Sequence, residues 1–347
     1  MLFIGLDVHL RGSNICILEQ KGDAVKVTKE FQVRGPRRKV IETLGKLKRP
    51  FKVCYEASCG YGYLHRELSG MAEQIQVAHP GQLRLIFKSK RKNDRVDAKK
   101  LATLLLLEQV PEVYVPSVDV QGWRALIEFR RRTVGKRTQT KNALRALFRN
   151  HGIEVASGKA LWTRRGRASL SAAVLPTRSA AVQRDMLLEE LKAFDEKIKR
   201  IERELDAIAE KHPGVYLLRT IPGVGPRTAE AVVAYIDDPG RFSRNKQVGC
   251  YMGLVPCQDQ SLKTDRLGHI TREGPATVRK FLVEAAWQGI RRSPRIRAYF
   301  ERVQKADPVN RKKIALVATA HYLVRVMHAM LRSGEVWREE STQKQVA

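Results

Sequence analysis

The stretch FIGLDVHLRGSNICIL, residues 3–18, determines the fold of the N-terminal part of the chain. Its apolar and β-branched residues alternate with polar ones, which is typical of strands. A turn at Gly22 follows, and the run AVKVTKEFQV at residues 24–33 repeats the strand pattern. The chain is therefore predicted to open with a β-hairpin.

Helix and strand patterns follow in turn after this hairpin. Residues 37–48 form a polar, helix-like segment, and FKVCYEA at 51–57 has a strand pattern. A helix is predicted from about Tyr63, and IQVAHP at 75–80 contains a short strand. The order βββαβαβ is that of a ribonuclease-H-like α/β fold, in which helices flank a mixed sheet.

After Asp94 the pattern becomes helical and stays so to residue 150. One side of this helix must be strongly electropositive, because it carries Arg130, Arg131, Arg132, Lys136, Arg137, Lys141, Arg145 and Arg149. The 347-residue chain has 65 Lys and Arg against 36 Asp and Glu, a net charge of +29. This charge favours a polyanion such as DNA as the partner, and the cations are expected to contact the phosphate backbone of the DNA rather than its bases.

Residues 151–180 are irregular in pattern and include the basic residues Arg164, Arg165 and Arg167, so we predict a linker or a mobile arm. From Met186, apolar residues recur at alternating spacings of four and three. They are Leu187, Leu191, Phe194, Ile198, Ile201, Leu205 and Ile208. This heptad pattern indicates a coiled-coil spacer or a dimer contact; the alternative is a helix packed on its own domain.

The part from about His212 is predicted to be mainly helical. RTIPGVGPRTAEAVVAYI at 219–236 has the pattern of a helix-hairpin-helix, whose turn at Gly223 and Gly225 would expose backbone N–H groups to a DNA phosphate. ATVRKFLVEAAWQGI at 276–290 and NRKKIALVATAHYLVRVMHAML at 310–331 are periodic core helices.

Four acidic residues lie where acidity has a cost. Asp7 is inside an apolar strand, Glu56 ends a strand, and Asp94 and Asp97 stand three apart at the start of a helix in the basic segment 89–100. Burying an unpaired carboxylate is expensive unless a cation compensates it. The four acids therefore predict a magnesium site that acts in phosphoryl transfer.

Simpler roles exist for these acids. Asp94 as an N-cap, Asp97 paired with Lys100 or Arg95, and Glu56 as a strand-end charge would each be unremarkable in isolation. An actin-like ATPase also begins with an apolar-Gly-apolar-Asp strand, but its glycine-rich phosphate hairpins are not matched, because the hairpin after Asp7 offers only Gly12.

Two further classes of protein are not expected. We find no apolar run long enough to span a bilayer and no signal peptide, because Asp7 interrupts the opening apolar stretch, so a cytoplasmic protein without a membrane partner is predicted. Paired CxxC spacing is missing, so disulfides and structural zinc are not predicted. The thiols predicted to lie in or near the core are Cys16, Cys54, Cys59, Cys250 and Cys257.

Five motifs occur in one order: GLDVH at 5–9, YEASCGYG at 55–62, KNDRVDAKKLA at 92–102, IPGVGPRTA at 221–229 and the long motif at 253–287 that begins GLVPCQDQSLKTD. With them the chain resembles, over nearly its full length, the DEDD-type insertion-sequence transposases of the IS-one-ten family, also called bridge recombinases. The resemblance implies an enzyme that cuts and rejoins DNA.

The resemblance also implies the parts of such an enzyme. These are a RuvC-like domain at 1–150 whose acids Asp7, Glu56, Asp94 and Asp97 bind magnesium, a linker and coiled coil at 151–211, and a transposase domain at 212–347. The nucleophile maps to Ser261, although Leu262 follows it where the family often has glycine. A structured guide RNA and a homo-oligomer, dimer or tetramer, are implied as partners.

The sequence around Ser261 is polar, basic and punctuated by glycine between two helical patterns. A loop that presents a nucleophile to a phosphate is expected there, although a serine in such a loop is more often a solvated turn residue. Candidates for holding the phosphate are Lys263, Arg266, Arg272 and Arg279.

Two other functions remain open from the residues alone. A RuvC-like nuclease needs the acids and no serine. Such a nuclease could end near residue 150, so the long basic C-terminal half weighs against it. A non-catalytic DNA-binding protein would use the basic helix and the helix-hairpin-helix, and the four acids weigh against it.

Overall fold

The computed structural model describes residues 1–22, 24–47, 50–58, 60–87, 94–261, 264–305 and 307–339. The chain divides into two compact units, Met1–Val118 and Asp119–Ala347. The long basic helix predicted to extend the N-terminal domain belongs to the second unit.

The first unit is a five-stranded sheet with helices. Its strands are β1 (Leu2–Val8), β2 (Gly12–Lys21), β3 (Ala24–Arg34), β4 (Phe51–Glu56) and β5 (Gln74–Ala78). Its helices are α1 (Arg37–Gly45), α2 (Tyr61–Leu68), α3 (Pro80–Ile86) and α4 (Asp94–Leu106). The strand order is β3-β2-β1-β4-β5; β1–β2 and β2–β3 are antiparallel, and β1–β4 and β4–β5 are parallel. The predicted mixed sheet is thereby confirmed.

Successive residues of β1 face opposite sides of the sheet, as the two-residue period of a strand requires. Ile4 and Leu6 pack with Val40 and Leu44 of α1 and with residues of α2. Phe3 packs on the other face with residues of α4. The sheet is therefore covered on both faces, which explains why its central strands are apolar nearly throughout.

Helical structure is interrupted between residues 107 and 117, where the sequence predicted a continuous run. Glu108 has φ 55°, and Pro111 and Pro116 follow it. A left-handed residue ends a helix, and proline disfavours helical geometry in the residue before it.

The second unit is mainly helical, as predicted. Its helices are α5 (Val118–Asn150), α6 (Arg164–Ala172), α7 (Arg178–Ala209), α8 (Pro213–Arg219), α9 (Pro226–Ile236), α10 (Asn245–Tyr251), α11 (Ala276–Arg292), α12 (Pro294–Gln304) and α13 (Lys312–Ser333). Short 3-10 turns lie at Ala160–Trp162 and Pro239–Arg241. One antiparallel hairpin, β6 (Pro256–Ser261) with β7 (Thr264–Ile270), interrupts the helices.

Residues 151–180, predicted to be a linker or mobile arm, are instead folded against the ends of α5 and α7. Leu161 and Leu170 are fully buried there with Leu144 and Phe148 of α5 and Leu191 of α7. These few apolar residues are widely spaced among cations, so their periodicity is weak in the sequence.

The heptad residues of α7 face α5 of the same chain. Leu191, Ile198, Ile201 and Leu205 are buried. The two helices are antiparallel, because ion pairs join Arg137 to Asp195 (3.0 Å) and Arg130 to Glu202. This packing favours the alternative of a helix packed on its own domain, while the dimer contact stays a prediction.

Two sequence expectations are corrected, one about membrane-length helices and one about the cysteines. Helix α13 is long and apolar enough to cross a membrane, although none was expected, but 44% of its most apolar window is buried inside the protein and it carries the buried polar residues Thr319 and His328. Cys16 and Cys54 are buried as predicted, whereas Cys250 and Cys257 are exposed; Cys59 lies outside the described residues.

Candidate active site

Asp7 and Glu56 are placed side by side by two parallel strands. The pairing of β1 with β4 brings Leu6 opposite Tyr55, and the two acids are the next residues on each strand. The Asp7 side chain is 16% exposed, and Glu56 is exposed. The carboxyl ends of parallel strands are where α/β sheets commonly bind ligands.

Helix α4 packs directly on β1, which brings Asp97 to the same place. A Cβ atom on Gly5 would lie 2.0 Å from the Ala98 carbonyl oxygen and 2.4 Å from the Ala102 amide nitrogen, so only glycine permits this approach. Asp97 precedes Ala98 on this helix. Asp94 is the first residue of α4, and its side chain lies outside the described part of the structure.

One cavity of about 500 Å³ is lined by three of the four predicted acids, Asp7, Glu56 and Asp97. Its other polar lining residues are Lys100, which the sequence indicated only as a partner of Asp97, and His9, Ser58 and Arg84, which sequence reasoning did not single out. His9 lies two residues after Asp7, and Lys100 lies one helical turn after Asp97. His9 and Lys100 therefore lie within the motifs GLDVH and KNDRVDAKKLA, where the sequence could have indicated them.

The acids have cationic or polar neighbours inside this cavity. His9 Nε2 lies 3.0 Å from Asp7 Oδ2. Lys100 Nζ lies 3.1 Å from Asp97 Oδ1 and 5.1 Å from the centre of the Phe87 ring. The ion pair considered as the simpler role of Asp97 thus exists, and it lies within the cavity that the other two acids line.

The donor set of the cavity fits a hard divalent cation, which prefers carboxylate oxygens. Within the part of the chain that the structure describes, no group of three or more such donors is already gathered around one point. Binding would therefore require the carboxylates, including those now held by His9 and Lys100, to turn toward the ion.

Ser261 lies at the end of β6, where a loop was predicted. Strand β6 is exposed along its whole length, and Ser261 pairs with Thr264 across the turn of the hairpin. Arg266 is exposed on β7 and lies opposite Asp259. Leu262 and Lys263 lie outside the described residues.

The backbone on either side of the hairpin is held by Arg279, within the same unit. Arg279 of α11 donates through Nη1 to the carbonyl oxygens of Met252 (3.2 Å), Glu273 (2.6 Å) and Gly274 (3.1 Å). Burial lowers the pKa of Arg279, and the neighbouring charge of Arg272 lowers it further. Arg279 thus anchors backbone, in contrast to the surface phosphate clamp that the sequence predicted.

The turn predicted as a helix-hairpin-helix connects α8 to α9. Gly223 has φ +94°, and a Cβ there would lie 2.5 Å from the Gly289 amide nitrogen of α11. Gly225 is the N-cap of α9, and a Cβ there would meet nothing within 4 Å. Gly223 therefore serves internal packing, while the space beside Gly225 is open.

Five of the predicted nucleic-acid-binding cations of α5, together with Arg164 and Arg165 of α6, fall into two groups. Arg130, Arg131 and Arg137 form ion pairs with Glu202, Glu128 and Asp195. Arg132 and Lys136 are exposed one turn apart on α5, and Arg164 and Arg165 are exposed at the start of α6. The second group is therefore open to a phosphate backbone, whereas a phosphate at the first group would compete with carboxylates that are already paired.

Glu230 of α9 is a buried acid that the sequence analysis missed. Its side chain is 1% exposed, and burial raises its pKa from 4.5 to about 7, against the opposing charge of Arg227. Arg227 Nη2 lies 3.0 Å from Glu230 Oε1 and also pairs with Asp206. One guanidinium thus serves two carboxylates, which leaves Glu230 incompletely compensated.

Comparison with known proteins agrees with this architecture. Residues 4–153 match a family described as "Transposase", of the DEDD IS110 type, and residues 215–301 match one described as "Transposase IS116/IS110/IS902 family". The "Transposase for insertion sequence element IS1111A" of Coxiella burnetii is 30% identical over 82% of this chain and 76% of its own length.

Two further relatives extend the similarity. The "Probable family 20 transposase" of Pseudomonas aeruginosa is 26% identical over 83% of this chain and 86% of its own. The "Transposase for insertion sequence element IS1328" of Yersinia enterocolitica is 25% identical over 96% of this chain and 98% of its own. The chain therefore belongs to the IS110-family DEDD transposases and is an enzyme that acts on DNA.

Proposed function

We propose that this transposase cuts and rejoins DNA by phosphoryl transfer, with magnesium held by Asp7, Glu56, Asp94 and Asp97 and with Ser261 as the nucleophile. The observation that carries the proposal is the cavity that Asp7, Glu56 and Asp97 line together. Three acids from two strands and a helix line it together, and carboxylate oxygens are the ligands that a hard divalent cation prefers.

The residues of the cavity have separate tasks in this proposal. The carboxylates hold the metal, which when bound would polarise the scissile phosphate and stabilise its developing charge. Arg84 and Lys100 line the same cavity and are placed to attract the phosphate by charge. His9, bonded to Asp7, would release that carboxylate when it turns toward the ion.

Ser261 is accessible, as a nucleophile for a polymer must be. In the proposed step, its Oγ forms a bond to phosphorus while one bond from phosphorus to a sugar oxygen breaks. The serine hydroxyl loses a proton and the released sugar oxygen gains one. The phosphodiester bond energy is kept in the serine ester, so the strand can be rejoined without an external energy source.

The partners of the enzyme follow from charge and resemblance. A net charge of +29 supports extensive contact with DNA and with a structured guide RNA. Backbone contacts are assigned to the exposed cations Arg132, Lys136, Arg164 and Arg165 and to the Gly225 turn. A cytoplasmic homo-oligomer is proposed on the resemblance to the family.

The covalent step can be tested with labelled donor DNA and magnesium, followed by denaturation and a search for a protein–DNA adduct. Ser261→Ala should lose the adduct and strand exchange but keep DNA binding. Ser171→Ala, which removes an exposed hydroxyl on α6, is the matched control and should keep all three. An adduct of normal yield from Ser261→Ala would move the nucleophile to another residue.

A further inference from the structure

Four cations converge where α5, α6 and α7 meet. Arg137, Lys141 and Arg145 lie one turn apart on one face of α5, and Arg167 comes from α6. We call these four residues the basic cluster. Among the described residues, Asp195 is the carboxylate with ion pairs to it, at 3.0 Å from Arg137 and 2.6 Å from Arg167. The cluster therefore keeps an excess of positive charge.

Trp162 holds two of these cations in place. Its ring centre lies 4.9 Å from Lys141 Nζ and 5.1 Å from the Arg145 guanidinium carbon, which are cation–π distances. Arg167 Nε donates to the Trp162 carbonyl oxygen at 3.2 Å. The indole is partly buried against the apolar core formed by α5, α6 and α7, so the cations rest on a rigid platform.

Crowding of like charges makes this arrangement costly in the protein alone. The pKa of Lys141 is lowered by burial and by the charges of Arg137, Arg167 and Arg145. An anion that entered the cluster would relieve this repulsion. Arg137 and Arg167 also line an adjacent cavity of about 600 Å³, and that volume is large enough for a nucleotide-sized group. Its other charged lining residues are Arg130, Lys192 and Lys199 and the carboxylates Asp195, Glu196 and Glu202.

We infer that the basic cluster and Trp162 form a binding site for single-stranded nucleic acid, in which backbone phosphates bind among Arg137, Lys141 and Arg167 and an unpaired base takes the place of Lys141 and Arg145 on the Trp162 ring. An aromatic ring beside a cationic groove is the arrangement that binds single strands, because an unpaired base can reach the ring. The inference rests on the proposed function only in taking nucleic acid as the ligand.

The test measures equilibrium binding of a short single strand, as DNA and as RNA, and of a duplex of equal length. Base stacking on an aromatic residue contributes about 1–3 kcal/mol, so Trp162→Leu should weaken single-strand binding roughly 5- to 150-fold. Trp162→Phe should recover most of the loss, and duplex binding should change less than about twofold. A loss of affinity that is confined to single-stranded DNA or single-stranded RNA supports the site and shows which of the two nucleic acids binds there.

Lys141→Met covers the case in which Trp162→Leu does not fold, because it keeps the indole and the apolar stem. It should reduce the salt slope of single-strand binding by about 0.7, the loss of one phosphate contact. Equal losses on single strand and duplex, or an unchanged slope in Lys141→Met, would overturn the inference. Strand binding needs no cleavage, so this result is separable from failure of the Ser261 mechanism.

Discussion

Gly5 and Ala98 are in backbone contact: a Cβ atom on Gly5 would lie 2.0 Å from the Ala98 carbonyl oxygen. Gly5 belongs to the strand that carries Asp7, and Ala98 follows Asp97 on α4. The distance between these two acids is therefore set by the missing side chain at residue 5.

We predict that Gly5→Ala will push α4 away from β1 and disrupt the carboxylate cavity without changing any carboxylate. Overpacking of this kind typically costs about 1–3 kcal/mol. Denaturant unfolding measures the loss, and magnesium-dependent cleavage should fall with it. Gly70→Ala is the control, because a Cβ there meets nothing within 4 Å. Equal unfolding midpoints for the two variants would contradict the contact.

The buried acid Glu230 predicts a pH dependence of stability. Its pKa in the folded protein is about 7, above the ordinary 4.5. A carboxyl with a raised pKa binds its proton more tightly in the folded state. Its contribution to the free energy of unfolding is therefore complete below about pH 4.5 and is lost as the pH rises through about 7. Glu230→Gln cannot ionise and should remove this loss.

The unfolding free energy of Glu230→Gln should therefore exceed that of the wild type at mildly alkaline pH, by on the order of 2 kcal/mol. The difference should shrink as the pH falls toward 4.5, the ordinary pKa of the group. Glu284→Gln is the control, since that side chain is 60% exposed. Parallel pH profiles for wild type and Glu230→Gln would show that the pKa of Glu230 is not raised in the folded protein, which would contradict this prediction.

The ion pairs on α5 predict which cations contribute to DNA binding. Replacing Arg132 and Lys136 by Gln should lower the salt slope of duplex binding by about 2, because each phosphate contact contributes about 0.9. Arg131→Gln should change it less, since Arg131 already pairs with Glu128. A larger change from Arg131→Gln than from the double variant would refute this division.

The sheet could be predicted from the sequence because its signals are local. Alternation in β1 and apolar runs in β4 mark strands, and a carboxylate such as Asp7 within an apolar strand marks a site. The meeting of Asp7, Glu56 and Asp97 was predicted for the same reason. The fourth acid, Asp94, has its backbone at the start of α4, and its role stays a prediction.

Other parts had no local signal. Strand β6 has polar residues such as Gln258, Asp259 and Gln260 facing both sides, so alternation could not separate a hairpin from a loop. Helix α6 has few apolar residues among its cations. The pairing of Lys141 and Arg145 with Trp162 joins segments that only the folded chain brings together, and a basic run alone does not identify which cations are already paired.

The central claim is that the carboxylate cavity is the metal-dependent cleavage site, and Asp7→Asn tests it most directly. The measurement is magnesium-dependent cleavage of donor DNA, made beside DNA retention and beside Glu42→Gln, which removes a carboxylate that is 57% exposed on α1. We predict that Asp7→Asn abolishes cleavage and retains DNA, while Glu42→Gln behaves as wild type. Undiminished cleavage by Asp7→Asn would contradict the account.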